Sequence, residues 1–296
     1  MDNILAPDEI RFANVLFITD FSSSSELALP YAVALAAQYN GRIYVGHVVS
    51  PEMVEFVPPA LIPEITERIK TYARKRIDEL VHETSFYGVP YEILLEEGEI
   101  GEALKEAVAK YNIDVIALGT HGRCGLQKLL MGAVAEETLR LAHRPVLTVG
   151  PQSRDFVPER RPRNIVFAAD FSTDCMHAMN CAVSLAHKFK ARLISTYVVE
   201  NVAEDPQVTT RFEQYFTQRL RELLPAPPDA QLQQEFRVEF GSPADCILKV
   251  ASESAIDLIV MGVRGAGSLA RADHHFGSTA YRVVSEARCP VLTARG

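Results

Sequence analysis

The hydrophobic residues of this chain fall into short, nearly continuous runs that are separated by amphipathic stretches. In the first half such runs predict strands at residues 14–20, 42–49, 90–96, 114–119 and 145–149. Continuous apolar runs of this length are typical of strands buried on both faces of a parallel sheet. Apolar residues at helical spacing predict one helix that begins after residue 22 and further helices at 63–85, 100–111 and 133–142. Alternating strands and helices predict parallel βαβ units with right-handed crossovers.

The first helix carries its own start signals. Ser22 and Ser23 can cap it, and Ser23-x-x-Glu26 matches a capping box. Its apolar residues recur at helical spacing at Leu27, Tyr31, Ala34 and Leu35.

The second half repeats the first in the same order. Residues 14–22 read NVLFITDFS and residues 164–172 read NIVFAADFS, while RPVLT at 144–148 matches CPVLT at 289–293. The corresponding strands are predicted at 164–170, 191–199, 232–240, 257–263 and 290–294, and the helices at 172–189, 208–224, 243–254 and 279–287. A repeat as long as a domain indicates duplication of a domain rather than a solenoid.

We therefore expect one domain at 1–150, a linker at 151–163 and a second domain at 164–296. The linker carries prolines and mixed charge without an apolar period. A length of 296 residues fits two domains. The expected fold class is α/β, with each domain a five-stranded parallel Rossmann-like sheet flanked by helices.

Composition narrows the classes of function. A net charge of −8 argues against broad binding to nucleic acid or to anionic membranes. Five cysteines without a Cys-x-x-Cys pair argue against a disulfide framework and against structural zinc. The first residues do not resemble a signal peptide, and no apolar run approaches the length of a membrane span. We expect a cytoplasmic protein that binds neither membranes nor nucleic acid.

In doubly wound sheets, ligands bind at the carboxyl edge where strand order reverses. Asp20 and Asp170 directly follow the first strand of each half, and each carboxylate could accept hydrogen bonds from ribose hydroxyls or a base N–H. After the fourth strand of the first half comes a loop with glycines spaced Gly-x2-Gly-x9-Gly, which leads into a helix. The residues of this loop and helix start that we expect at a ligand are Gly119, His121, Gly122, Arg123, Gly132, Ala133 and Val134.

The corresponding loop of the second half is two residues longer, because eleven residues separate Gly265 from Gly277. Amide groups at the start of a helix favour a phosphate. The candidate ligand residues here are Gly262, Arg264, Gly265, Gly277, Ser278 and Thr279. Neither half contains a P-loop, a nucleophile elbow or a zinc motif, so we assign no catalytic residue and no metal ligand. The adjacent His274 and His275 lack a third ligand at useful spacing.

Together the two glycine loops, the aspartates that end the first strands and the terminal Pro-Val-Leu-Thr strands resemble the universal stress protein family. The resemblance covers both halves apart from the linker and the N-terminal tail. It implies an adenine nucleotide alpha hydrolase-like fold, ATP or AMP as the ligand with or without Mg²⁺, and contact of the base with backbone near Val48 or Val198. It also implies pairing through the last strands, either inside the tandem chain or in a homodimer, and a role in regulating a stress response.

Both halves depart from the family pattern. Ala133 stands where the family usually has a hydroxyl residue, and the second loop is too long. We favour the first half as the nucleotide site, because loop spacing sets several contacts and the hydroxyl sets one. Three alternatives stay open: the aspartates and glycines serve only turns, the protein is a slow ATPase or nucleotide-processing enzyme, or it is a dimerising scaffold without nucleotide.

Overall fold

The computed structural model describes residues 10–84, 86, 88–120, 131–153, 161–200, 205–224, 232–264 and 277–296. Phe12–Pro151 form one compact unit. The described residues from Gln152 to Gly296 form the other, and Ile10 and Arg11 belong to it. The carbonyl of Ile10 accepts a hydrogen bond of 2.8 Å from the hydroxyl of Ser184.

The first unit is a parallel five-stranded sheet with helices between its strands. The sheet order is β3-β2-β1-β4-β5. Its strands are β1 (Asn14–Ile18), β2 (Arg42–Val49), β3 (Tyr91–Glu97), β4 (Val115–Gly119) and β5 (Val146–Val149). Its helices are α1 (Ser23–Glu26), α2 (Leu29–Gln38), α3 (Ile62–Glu83), α4 (Ile100–Lys110) and α5 (Ala133–Leu141).

The second unit repeats this arrangement with the order β8-β7-β6-β9-β10. Its strands are β6 (Asn164–Ala169), β7 (Arg192–Val199), β8 (Gln234–Phe240), β9 (Leu258–Gly262) and β10 (Val291–Ala294). Its helices are α6 (Thr173–Phe189), α7 (Pro206–Leu223), α8 (Pro243–Glu253) and α9 (Ser278–Glu286). The predicted fold class is confirmed in both units.

Strand order reverses beside the first strand of each unit. β1 pairs in parallel with β2 on one side and with β4 on the other. β6 lies in the same way between β7 and β9. The residues that follow β1 and β4, and those that follow β6 and β9, therefore leave the sheet at neighbouring points of its carboxyl edge.

The opposite edge is fixed by one aspartate in each unit. The Asp114 carboxylate, just before β4, accepts backbone N–H groups of Ala13 (2.9 Å) and Asn14 (2.8 Å). Asp257 accepts the equivalent groups of Arg163 and Asn164 at 2.8 and 3.1 Å. The duplication thus preserves contacts as well as the order of elements.

The central strands are buried on both faces, as their continuous apolar runs predicted. Val15, Phe17, Ile165 and Phe167 are all 0% exposed. Burial of such side chains contributes about 1.5–3 kcal/mol each, so the sheet forms the core of each unit. No helix in the described part of the chain is long and apolar enough to cross a membrane.

The prediction for the first helix was wrong in detail. Ser22 is the N-cap, and its hydroxyl accepts the N–H of Ser25, so Ser23-x-x-Glu26 is not a capping box. The helix is divided into α1 and α2, and Pro30, which has no N–H to donate, lies in the first turn of α2. Leu27 is 39% exposed. The buried residues of α2 are Leu29, Ala32, Val33, Leu35 and Ala36.

Candidate functional site

The turn after the first strand is braced by its aspartate in both units. The Asp20 carboxylate accepts the backbone N–H of Ser22 at 3.0 Å. Asp170 accepts the N–H of Ser172 at 3.0 Å and its hydroxyl at 2.6 Å. These bonds show that both aspartates brace their turns, and their contact with a ligand stays a prediction. Both residues are half-buried, so the bracing leaves each carboxylate partly exposed at the sheet edge.

The phenylalanine after each aspartate has a left-handed backbone. Phe21 has φ of 61° and Phe171 has φ of 60°. This conformation costs an L-residue about 1–2 kcal/mol, and side chains as bulky as phenylalanine rarely adopt it. Strained residues of this kind concentrate at functional sites. The pattern of apolar residues did not predict the left-handed conformation. The structure shows it in both Asp-Phe-Ser segments.

Aromatic rings hold these phenylalanines at the sheet edge. The Phe21 ring lies 4.7 Å from the ring of His47 on β2, measured between centroids. His47 is 3% exposed, and its Nδ1 lies 2.8 Å from the carbonyl oxygen of Thr19. Because a carbonyl only accepts, Nδ1 carries the proton in this bond. His47 thereby joins the ends of β1 and β2.

In the second unit, Tyr197 occupies the position of His47. Its ring lies 5.0 Å from Phe171 and 4.2 Å from Phe216 on α7.

The residue that follows His47 on β2, and Tyr197 on β7, is the valine expected near a base. Val48 and Val198 are both half-buried and lie near the carboxyl ends of β2 and β7. The structure thus places both valines at the expected edge.

The glycine that ends the fourth strand is required by close packing. A Cβ on Gly119 would lie 2.3 Å from the carbonyl oxygen of Ser24. A Cβ on Gly262 would lie 3.1 Å from the backbone and Cβ of Asp174. The ends of β4 and β9 therefore lie against the helix that follows the first strand. This contact brings the end of the fourth strand and the start of the first helix of each unit together at the predicted switch point.

The last glycine of each loop caps a helix, as predicted. Gly132 precedes α5, and its N–H donates to the carbonyl of Thr120 at 2.8 Å. Gly277 precedes α9 and donates to Val263 at 3.1 Å. Both glycines have ordinary negative φ, so the backbone conformation at these positions does not require glycine. Neither helix start has a side-chain cap.

These helices therefore present backbone amides at the sheet edge. The first residues of α5 are Ala133 and Val134, and those of α9 are Ser278 and Thr279. The first amides of a helix lack partners within it and favour an anion. His121, Gly122, Arg123 and Gly265 lie outside the described residues, as do Cys124, His274 and His275.

Arg264 has a partner that sequence reasoning missed. Its backbone N–H and its Nε both donate to Asp174 Oδ2 at 3.1 Å, and its Nη2 donates to Oδ1 at 3.1 Å. Burial alone would raise the pKa of Asp174, but the hydrogen bonds from Arg264 and Gly296 outweigh burial and lower it. An alignment of the two halves could have revealed this pair. Asp174 corresponds to Ser24 and Arg264 corresponds to His121, so an acid and a base appear together in the second half only.

The described cysteines are packing residues. Cys175, Cys181, Cys246 and Cys289 are buried and form no disulfide. Burial raises the pKa of the Cys175 thiol to about 11 and that of Cys181 to about 12. Such thiols stay protonated at neutral pH and are poor nucleophiles.

Comparison with known proteins places this arrangement in one family. The model of the universal stress protein family matches residues 11–150 and 162–295. A universal stress protein of Mycolicibacterium smegmatis is 24% identical over 295 residues, which cover 95% of this chain and 96% of the relative. One from Methanocaldococcus jannaschii is 28% identical over 153 residues, covering 50% of this chain and 88% of that protein.

A solved structure agrees in fold along nearly the whole chain. The crystal structure of a universal stress protein from Archaeoglobus fulgidus has a TM-score of 0.72 and 22% identity. The match covers 96% of this chain and 98% of that one. With the family model matching both halves, the chain belongs to the universal stress protein family and carries two of its domains in tandem.

Proposed function

We propose that this protein binds an adenine nucleotide, ATP or AMP, at the carboxyl edge of its first unit and acts as a nucleotide-responsive regulator in a stress response. One observation carries the proposal. The start of α5 is hydrogen-bonded back to the end of β4 through Gly132 and Thr120, and that end lies against the helix that follows Asp20. An anion-binding helix start and a half-buried carboxylate therefore share one edge of the sheet.

The residues at this edge suit the parts of a nucleotide. The amides at the start of α5 suit a phosphate, since they carry the positive end of the helix dipole. A carboxylate repels phosphate but accepts hydrogen bonds from ribose hydroxyls, the role proposed for Asp20. Backbone groups near Val48 would meet the base. A Mg²⁺ ion would reach the site with the phosphates of ATP.

The first unit is favoured because its loop has the family's spacing. Ala133 starts α5 without a hydroxyl, which removes one hydrogen bond worth about 0.5–1.5 kcal/mol. The backbone amides do not depend on that side chain. A regulator needs a ligand that binds one conformation better than another, and the loop after β4 is the segment proposed to respond. Pairing through the last strands and a cytoplasmic location stay predictions.

Binding is tested with the full-length chain and radiolabelled ATP or AMP in equilibrium dialysis. We expect saturable binding with Kd below about 1 mM. Asp20→Asn keeps an acceptor for the Ser22 N–H but removes the charge, and charged hydrogen bonds are worth about 1.5–3 kcal/mol, so the affinity should fall roughly tenfold or more. Asp170→Asn, the matched change in the second unit, should leave it unaltered.

Two outcomes would contradict parts of this proposal. Absence of saturable binding below about 1 mM would remove nucleotide binding and favour a scaffold. Phosphate release from bound ATP above the rate in buffer would show an enzyme instead of a passive binder. Mass spectrometry of the supernatant from denatured protein adds an independent readout, since a tightly held nucleotide copurifies.

A further inference from the structure

Asp174 lies in the first turn of α6 and is 2% exposed. Its carboxylate accepts the backbone N–H and the guanidinium of Arg264, each at 3.1 Å, and the backbone N–H of Gly296 at 2.9 Å. Arg264 is the third residue of the loop that begins at Gly262. Backbone and side-chain donors of this loop thus converge on one internal carboxylate.

This set of donors is the kind that would hold a phosphate. A guanidinium binds carboxylate and phosphate with the same paired geometry, and a backbone amide adds to either. An external anion that bound the Nε–H and Nη2–H side of the Arg264 guanidinium would have to displace the Asp174 carboxylate. The pKa of Asp174 is lowered by its hydrogen bonds despite burial, so the carboxylate is ionised at neutral pH. It would repel an approaching phosphate.

The first unit lacks both members of this ion pair. Asp20-Phe-Ser-Ser-Ser24 aligns with Asp170-Phe-Ser-Thr-Asp174, so Ser24 takes the place of Asp174. The packing supports this alignment, because the end of β4 approaches Ser24 as the end of β9 approaches Asp174. Histidine at 121 replaces Arg264 in the aligned glycine motif. The first unit therefore has no acidic side chain at this position.

We infer that the Asp174 carboxylate binds Arg264 in the place of a nucleotide phosphate and so prevents nucleotide binding in the second unit. The chain then has one nucleotide site, in its first unit. The inference rests on the proposed function, and it makes Asp174 the residue that determines which unit binds. Because Arg264 is 38% exposed, breaking this partly buried ion pair should lower nucleotide affinity in the second unit roughly 30-fold relative to that of the first.

The two units supply each other's control variants. Asp174→Ser with Arg264→His gives the second unit the residues of the first, and Ser24→Asp with His121→Arg makes the reverse change. Binding is followed by equilibrium dialysis of the full chain with ATP. The wild type should bind about one nucleotide per chain, the first double variant about two, and the second double variant close to none.

Circular dichroism and thermal unfolding check that each variant is folded. Asp174→Asn keeps the shape of the side chain and removes only its charge, so it replaces the double variant if that one unfolds. It should create a second, weaker site. When Asp20→Asn is added to Asp174→Asn or to Asp174→Ser/Arg264→His, the first unit should lose affinity. The new site in the second unit should then bind ATP more tightly than the first unit does.

The outcomes separate this inference from the proposed function. Two equal sites in the wild type would overturn the role of Asp174 and leave nucleotide binding intact. A single site that is weakened by Asp170→Asn rather than by Asp20→Asn would also overturn it. Unchanged stoichiometry in folded Asp174→Asn and Asp174→Ser/Arg264→His variants would do the same. No binding by any variant would reject the proposed function itself.

Discussion

Phe21 and Phe171 occupy the same position in the two units, and both adopt a left-handed backbone, with φ of 61° and 60°. Each follows the aspartate that braces the turn after its unit's first strand. The Asp-Phe-Ser turn therefore leaves the first strand through the same backbone conformation and the same aspartate hydrogen bond in both units.

The strain at Phe21 can be measured with two variants that remove the same ring. Phe21→Ala and Phe21→Gly both lose the contact with His47, but only alanine has a Cβ that opposes positive φ. We expect the glycine variant to be more stable than the alanine variant by about 1 kcal/mol in urea denaturation. Phe171→Ala and Phe171→Gly should differ by the same amount. Equal stabilities within a pair would mean that the turn relaxes in the variants.

Close packing predicts unequal costs for two equivalent glycines. In Gly119→Ala the new methyl group would lie 2.3 Å from a backbone oxygen, whereas in Gly262→Ala its nearest neighbours are at 3.1 Å. We expect Gly119→Ala to lower the free energy of unfolding by about 1–3 kcal/mol and Gly262→Ala to lower it by less. Urea denaturation of both variants tests this order. A reversed order would contradict the described approach of Ser24 to β4.

A buried hydroxyl in β7 should be unfavourable. Ser195 is 0% exposed, and its hydroxyl has no hydrogen-bond partner among the described residues. Ser195→Ala should raise the free energy of unfolding by about 1 kcal/mol, since the variant no longer buries an unpaired polar group. Ser25→Ala is the control, because the Ser25 hydroxyl is within 3.0 Å of Thr19 and donates to Ser22. That variant should be destabilised in the same thermal unfolding assay.

The Asp174–Arg264 ion pair predicts a pH-dependent stability. The pKa of Asp174 is lowered in the folded protein, so the stabilisation is complete above the unfolded pKa of about 3.9 and disappears as the pH falls through the folded value. At pH 7, Asp174→Asn should cost about 2 kcal/mol, less than a fully buried pair because Arg264 is 38% exposed.

The difference between wild type and Asp174→Asn should shrink as the pH is lowered from about 5 towards 2. Asp245→Asn removes an exposed partner of Arg282 and serves as the control, with a smaller effect at every pH because solvent screens that pair. A constant difference for Asp174→Asn over this range would show that its loss acts through shape rather than charge.

The hydroxyl at the start of the anion-binding helix can be exchanged between units. Ala133→Ser gives α5 the residue with which α9 begins. One added hydrogen bond to phosphate is worth about 0.5–1.5 kcal/mol, so ATP should bind roughly 2- to 10-fold more tightly. Isothermal titration calorimetry measures this change. Ser278→Ala is the matched control and should not affect nucleotide binding if only the first unit is occupied.

Sequence periodicity predicted most of the fold because parallel strands buried on both faces leave an unmistakable apolar run. The runs at β1 and β6 and the glycines before α5 and α9 fall where they were expected. The first helix was predicted less well, since Ser22 and Ser23 are equally good caps in isolation. Packing against the strands, which buries Leu29 and exposes Leu27, decided between the possible faces.

The sequence by itself determined the duplication, the order of strands and helices, and the sheet edge at which both Asp20 and Gly132 lie, because these follow from local pattern and chain connectivity. Only the tertiary structure decided that Arg264 binds Asp174, a residue 90 positions earlier, and that Phe21 takes a left-handed backbone. The charge of a side chain indicates what kind of group it can bind. Its actual partner depends on which distant segments the folded sheet brings within hydrogen-bonding distance.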